Sequence, residues 1–185
     1  VTSDIGYAVA EADGTKVITM SDGSTISGDI TVAVFDANGD KIITMSDGST
    51  LRGDINSAIL NADGSKTITM SDDSTISGDI VSAITAADGS KIITYANEST
   101  LSGDITNAIS NADGTKTVTL TDGSTFTGAI SQAVVDATGT KVITYADNST
   151  LSGDIASAVV NADGTKTIVM DGNNSTLSGD IVSAI

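Results

Sequence analysis

Residues 66–89 read KTITMSDDSTISGDIVSAITAADG. The first five residues alternate, with Ile68 and Met70 on one face and Thr67 and Thr69 on the other, the period of a half-buried strand. SDDS (71–74) stands where other copies of the stretch carry SDGS, and Gly, Asp or Asn at that place suits a turn with a left-handed residue. TIS (75–77) predicts a second short strand. The rest, 78–89, changes period. Ile80, Ala83, Ile84 and Ala87 lie at i, i+3, i+4 and i+7, the apolar spacing of a helix. Ser77 or Asp79 is placed to cap its start, and Gly89 sits where a helix C-cap glycine belongs. The column two residues after Ile is mostly polar (Ser57, Ser82, Asn107, Gln132, Ser157), and a regular strand would turn it inward. The spacing therefore predicts a strand followed by a short α- or 3₁₀-helical turn, with a third strand as the alternative.

The stretch belongs to a repeat. Gly-Asp-Ile recurs at 28–30, 53–55, 78–80, 103–105, 153–155 and 179–181, Gly128-Ala129-Ile130 is a variant, and Ser3-Asp4-Ile5 opens the chain. The spacing is 25 residues until the last interval of 26, whose extra residue falls in DGNNST (171–176), a predicted surface turn. Repetition this regular predicts a solenoid, in which each coil covers its neighbour's apolar face. We expect one continuous solenoid over 1–185, with coils starting near 1, 26, 51, 76, 101, 126, 151 and 177, the last partial. One strand spacing of about 4.8 Å per coil gives a rod of roughly 35 Å. A weaker period of two coils is superimposed: Thr67, Thr117 and Thr167 follow the lysine in coils 3, 5 and 7, whereas Val17, Ile42, Ile92 and Val142 follow it in coils 1, 2, 4 and 6. The array reads as duplicated 50-residue units.

LSGDIASAVVNADGTKTIVM (151–170) resembles the LSGxIPxxLxxLxxLxxLxL variety of leucine-rich repeat, with Leu151, Ile155, Val159, Ala162, Ile168 and Met170 on its apolar positions. STLSGDI (149–155) is similar to the start of 25-residue repeats in some bacterial surface proteins of the leucine-rich type. The resemblance implies an α/β coil of strand plus helical turn, and a binding or adhesion scaffold rather than an enzyme. Ala162 and Thr165 stand where that family prefers leucine, and its ladder asparagine falls in a column reading Gly23, Gly48, Asp73, Glu98, Gly123, Asn148. An all-β solenoid, a β-helix, is the alternative.

Composition narrows the chemistry. The chain has no Cys, His, Pro or Trp, so only hard oxygen ligands are present for a metal. Eight basic against 24 acidic residues, net −16, exclude a phosphate-binding basic face and argue against nucleic acid and anionic membranes. No apolar run approaches membrane-spanning length and no signal peptide is visible, so no membrane insertion is expected. Catalysis has neither a histidine base nor a cysteine nucleophile, and the aspartates recur in every coil where an active site is normally unique. No enzyme is expected.

Three aspartate columns and one lysine column carry the charge: Asp4, Asp29, Asp54, Asp79, Asp104, Asp154 and Asp180; Asp13, Asp63, Asp88, Asp113 and Asp163; Asp22, Asp47, Asp72, Asp122 and Asp147; and Lys16, Lys41, Lys66, Lys91, Lys116, Lys141 and Lys166. Coils stacked one strand apart would set like charges about 5 Å from each other. Ca²⁺ bridging the first column and Asp22, Asp47 and Asp72 is the candidate relief, and the one cofactor considered. The competing reading makes these aspartates caps and turn residues, with lysine pairing one column. Asn97, Asn148, Asn173 and Asn174 fit the N-glycosylation pattern, all in one turn. Thr67, Thr69, Thr117 and Thr119 form a candidate interaction face. Arg52-Gly53-Asp54 looks like a recognition tripeptide, but Gly53 and Asp54 belong to the repeat and only Arg52, the one arginine, is new. Its expected role is a positive charge among aspartates.

The chain starts at the first column of one coil and stops nine residues into another, with no capping sequence at either end. Uncapped coils expose strand edges, so head-to-tail stacking or membership of a longer repeat protein is expected. The expected function is a structural, self-associating extracellular repeat protein: a fibre, sheath, stalk or surface-layer element, its partners copies of itself, head to tail or side by side. The alternative is an adhesin presenting a solenoid face to host protein or glycan.

Overall fold

The computed structural model describes residues 4–136, 138–172 and 174–184. Each repeat makes three strands. The first two repeats give β1 (Ile5–Ala10), β2 (Lys16–Met20), β3 (Thr25–Gly28), β4 (Ile30–Phe35), β5 (Lys41–Met45) and β6 (Thr50–Gly53), and β7 (Ile55–Leu60) opens the third. Each triplet is an antiparallel meander, with pairs such as Ile18↔Ile26 and Ile43↔Leu51. A single residue, Asp29 or Asp54, then carries the chain to the opposite sheet.

The next strand does not stack on the last. β3 pairs in parallel with β7, through Ser27↔Ile59, and skips the second repeat altogether. The odd repeats build a 12-stranded sheet and the even repeats, with a short final strand, a 10-stranded one. We call these the odd and even sheets. The chain leaves the odd sheet at the C-terminal end of β3 and returns at the N-terminal end of the parallel β7, so successive crossovers lie on opposite edges. The molecule is a β-solenoid of 25-residue repeats whose full turn takes two repeats, which is the origin of the 50-residue period. One turn advances three strands, about 14 Å, and the twelve-stranded sheet spans about 50 Å, longer than the one-strand-per-coil rod.

The all-β alternative is the observed architecture; among the described residues there is no helix. The segment expected to form a helical turn is the strand Ile80–Thr85. Its register explains the helical spacing. Ile80 faces Tyr95 but Ser82 faces Thr94, so Val81 is the extra residue of a β-bulge. The bulge breaks the alternation once. Ile80 and Ala83 both point inward and are fully buried, while Val81 and Ile84 are exposed. The i, i+3 spacing is thus a strand with one inserted residue, and Ile84, expected inside, is outside. Gly89 closes a hairpin turn with φ 88°, accepting no helix end: its N–H donates to the Ala86 carbonyl at 3.0 Å.

The second turn falls where SDGS predicted it. Gly48 N–H donates to the Met45 carbonyl at 3.0 Å, with φ 84°. Asp73, Glu98 and Asn148 hold the same left-handed place at φ 63°, 66° and 64°. Asp and Asn tolerate that region well; Glu98 does not.

The two inner faces meet in one apolar core, in which Ile26, Ile43, Leu51, Ile55, Ala58 and Ile68 are completely buried. Neighbouring turns of one sheet come close at Gly53, where β6 lies beside the parallel strand Ile80–Thr85. A Cβ on Gly53 would lie 2.5 Å from Thr85 Oγ1, and its φ of 143° is closed to ordinary side chains.

Candidate interaction surface

Two features of this fold carry chemistry: the edges, where lysines and aspartates meet, and the two outer faces. The lysine opening each second strand stands on the inward side of the pleat, as in β5 with its pattern of alternate burial. Lys41, Lys66, Lys91, Lys141 and Lys166 are at most 3% exposed. Each reaches across to the aspartate 19 residues earlier, which belongs to a turn of the other sheet. Lys41–Asp22 is 2.6 Å, Lys66–Asp47 2.8 Å, Lys91–Asp72 2.8 Å, Lys141–Asp122 2.7 Å and Lys166–Asp147 3.0 Å. The other oxygen of the same carboxylate closes its own turn. Asp22 Oδ1 accepts the Ser24 N–H at 3.0 Å and the Ser24 hydroxyl at 2.6 Å. Each aspartate is therefore a turn residue and an inter-sheet staple at once.

Partial burial penalises the charged form of Asp22, Asp47, Asp72 and Asp122, but the lysine and serine hydrogen bonds outweigh it and hold each at about 2. Asp147 reaches about 2 chiefly through Ser149, with Lys166 adding to it. The second column, Asp13, Asp63, Asp88, Asp113 and Asp163, closes the other hairpin turn; Asp13 Oδ1 accepts the Thr15 hydroxyl at 2.7 Å.

The crossover column behaves differently. Asp29 and Asp54 each accept a serine hydroxyl at 2.5 Å, from Ser46 and Ser71. Asp4 Oδ2 accepts the Phe35 N–H at 3.3 Å. Main-chain carbonyls of Asp79, Asp104 and Asp154 accept from Ala96, Thr121 and Asp171 at 2.8–2.9 Å, and Asp180 is exposed. Asp54 and Asp154 also lie 3.9 and 3.8 Å from Lys41 and Lys141. The ladder of like charges that motivated a calcium bridge does not form. Adjacent members of each column sit on opposite edges, and members on one edge are three strands apart, about 14 Å. Among the described residues no three carboxylates gather into a metal-binding group.

Arg52 faces outward in the middle of β6, paired in register with Ile42 and Ile84, and its guanidinium holds Asp36 at 2.6 Å. The tripeptide is strand and crossover, with its arginine engaged by a carboxylate. Asn97, Asn148 and Asn174 are exposed turn residues; Asn97 Oδ1 accepts the Ser99 hydroxyl at 2.6 Å. Asn173 lies outside the described residues.

Thr67, Thr69, Thr117 and Thr119 all stand on the outer face of the odd sheet, in two rows. One row runs Ile59–Thr67–Ser77–Ile109–Thr117–Thr127 across adjacent strands, and its neighbour runs Ser57–Thr69–Thr75–Asn107–Thr119–Thr125. The corresponding row of the even sheet reads Val34–Ile42–Arg52–Ile84–Ile92–Ser102–Val134–Val142. It places a pair of β-branched residues side by side in every turn, with Val34 39%, Ile84 36% and Ile92 41% exposed. This apolar stripe was not among the residues singled out from sequence. Its signal was present in the two-coil period, since the Thr-to-Ile change after the lysine is the change from odd to even sheet.

No protein-family model matches the chain, and no curated protein matches it. Among solved structures, the chain is similar to the wild-type TCP10 domain of Danio rerio CPAP at 20% identity, covering 94% of each chain, with a TM-score of 0.17. The TCP10c domain of Drosophila melanogaster Sas-4 matches at 14% identity over 93% of this chain and 96% of that one, TM-score 0.19. A streptogramin B lyase matches at 10% identity over 90% of each, TM-score 0.18. Overlaps this poor establish neither a shared fold nor a shared activity.

Proposed function

We propose that this chain is a structural, self-associating repeat protein of the cell exterior, a fibre, sheath, stalk or surface-layer element, and that the outer face of the even sheet is its lateral contact. The supporting observation is the stripe of paired β-branched residues, Val34–Ile42, Ile84–Ile92 and Val134–Val142, repeated once per turn. A face with a fixed period of about three strands is complemented best by a surface of the same period, which a second copy supplies. Individually each contact is weak. Repeated along the face they add, because once one turn is docked the others bind intramolecularly. The residues at the edges serve the fold, five of the lysines being tied to a turn of the opposite sheet. The extracellular setting is supported by the likeness of STLSGDI to bacterial surface repeats.

Sedimentation velocity and negative-stain microscopy over a range of concentrations test this. Concentration-dependent assemblies, seen as rods, ribbons or sheets, are expected. A monodisperse monomer at every concentration that binds host protein or glycan would instead make the chain an adhesin.

A further inference from the structure

Lys116 departs from the five paired lysines; Lys16, in the first repeat, likewise donates to a carbonyl, that of Ile30 at 2.7 Å. Those five hold a carboxylate oxygen at 2.6–3.0 Å. Lys116 is as deeply buried, at 2% exposed, yet among the described residues its ammonium has no carboxylate partner. Its Nζ donates to the Ile130 carbonyl at 3.3 Å and stands 5.0 Å over the Tyr95 ring.

Two acid columns change letter around this one lysine, and a third, variable column carries alanine there as it does at Ala96. In the Lys41 site the positions 19 before, 13 after and 30 after the lysine are Asp22, Asp54 and Ser71. There Asp22 bonds the ammonium at 2.6 Å, Asp54 lies at 3.9 Å, and Ser71 donates to Asp54 at 2.5 Å. At Lys116 the same three positions are Asn97, Ala129 and Ala146. Both acids are gone, and the serine that served one of them is gone with it. A pocket of about 150 Å³ lies here, lined by Asn97, Ser99, Lys116, Ala129, Ser131 and Ala146, where the pocket beside Lys141 carries Asp122 and Asp154 in its wall.

The donors converge on it. Asn97 Oδ1 is taken by the Ser99 N–H at 3.2 Å and hydroxyl at 2.6 Å, the bonds Oδ1 makes in the sister aspartates. The amide NH₂ therefore occupies the place of the sister Oδ2. Where the other sites offer an acceptor to lysine, this one offers two N–H donors, from Asn97 and Lys116, and no acceptor charge. A buried ammonium without a counter-charge is strongly disfavoured, and burial does lower the Lys116 pKa from its ordinary value.

We infer that this pocket binds a small monocarboxylate, whose oxygens pair with Lys116 Nζ and Asn97 Nδ2 and supply the negative charge that aspartate supplies elsewhere. The pocket admits an acid of two or three carbons, and the net charge of −16 selects against anions of higher charge.

The test compares the wild-type chain with Asn97→Asp, which restores the sister arrangement, and Lys116→Met, which removes the cation. Melting is followed in sodium acetate and in sodium chloride of equal ionic strength. Near-saturating acetate should raise the wild-type Tm by about 2 °C and leave both variants unmoved. Saturation-transfer NMR on the acetate methyl should show transfer from the wild type and none from either variant, a readout independent of stability. Equal acetate shifts in all three chains, or no saturation transfer from the wild type, would overturn the assignment.

Discussion

The odd and even sheets are built from the same 25-residue repeat and fill one core with like inner faces, but their outer faces differ. Inside, the alternation is indifferent to the sheet: Ile43 and Leu51 of the even sheet and Ile68 and Ile76 of the odd one are equally buried. Outside, the residue after each lysine is Thr67, Thr117 and Thr167 on most of the odd sheet, and Ile42, Ile92 and Val142 on the even one. Packing demands explain the sameness inside, since both faces fill one core. They do not dictate the difference outside, where Thr, Ile and Val all suit an exposed strand. A difference that follows the sheet and not the neighbouring repeat points to a surface with a task of its own.

What the sheets share should break most severely. Gly53→Ala drives a Cβ to 2.5 Å from Thr85 Oγ1 at a φ of 143°, and should cost about 3 kcal/mol by urea melting. Gly153→Ala, whose Cβ meets only Met170 Cε at 3.5 Å, should cost clearly less. Equal losses would mean that backbone strain, and not the close approach of Thr85 on the neighbouring strand, demands the glycine.

Next come the staples. Asp72→Ala leaves Lys91, 3% exposed, without its carboxylate and should cost about 3 kcal/mol, the low end for a broken buried pair because Asp72 itself is half exposed. The pH profile follows from the same bonds. The folded carboxylates of Asp22, Asp47, Asp72, Asp122 and Asp147 sit at about 2, below their unfolded value of 3.8. Their contribution is complete above about pH 5 and is lost as the pH falls from there toward 2. Tm measured between pH 7 and 2 should fall over that window, and less steeply in Asp72→Asn.

Smaller effects test the turns. Glu98 is held at φ 66° where Gly23, Gly48 and Gly123 stand in sister repeats, so Glu98→Gly should stabilise by about 1 kcal/mol. No gain would show that Glu98 is compensated by a contact in the folded state.

Much of this was legible in the sequence. The strands at 66–70 and 75–77, the left-handed turn position and the repeat itself follow from alternation and turn chemistry, because those are local properties. Two things were not local. The bulge at Val81 inserts one residue whose only trace is an i, i+3 spacing, which is also the signature of a helix turn. The partner of β3 is the strand two repeats on, and no residue of the intervening repeat announces that it crosses to another sheet. The Thr and Ile alternation was the visible clue, and it reads as a period of faces only once the two-repeat turn is known. The lysine–aspartate pairing was foreseeable in kind. Its spacing of 19 residues, set by the crossover, was not.

The contrast between outer faces is tested most directly by exchanging them. Sedimentation velocity should show concentration-dependent association of the wild-type chain, loss of that association in the triple variant Ile42→Thr, Ile92→Thr, Val142→Thr, and a Tm within a few degrees of wild type, since each change lies on the outer row. Undiminished association of a folded triple variant would contradict the assignment of the even sheet as the contact face.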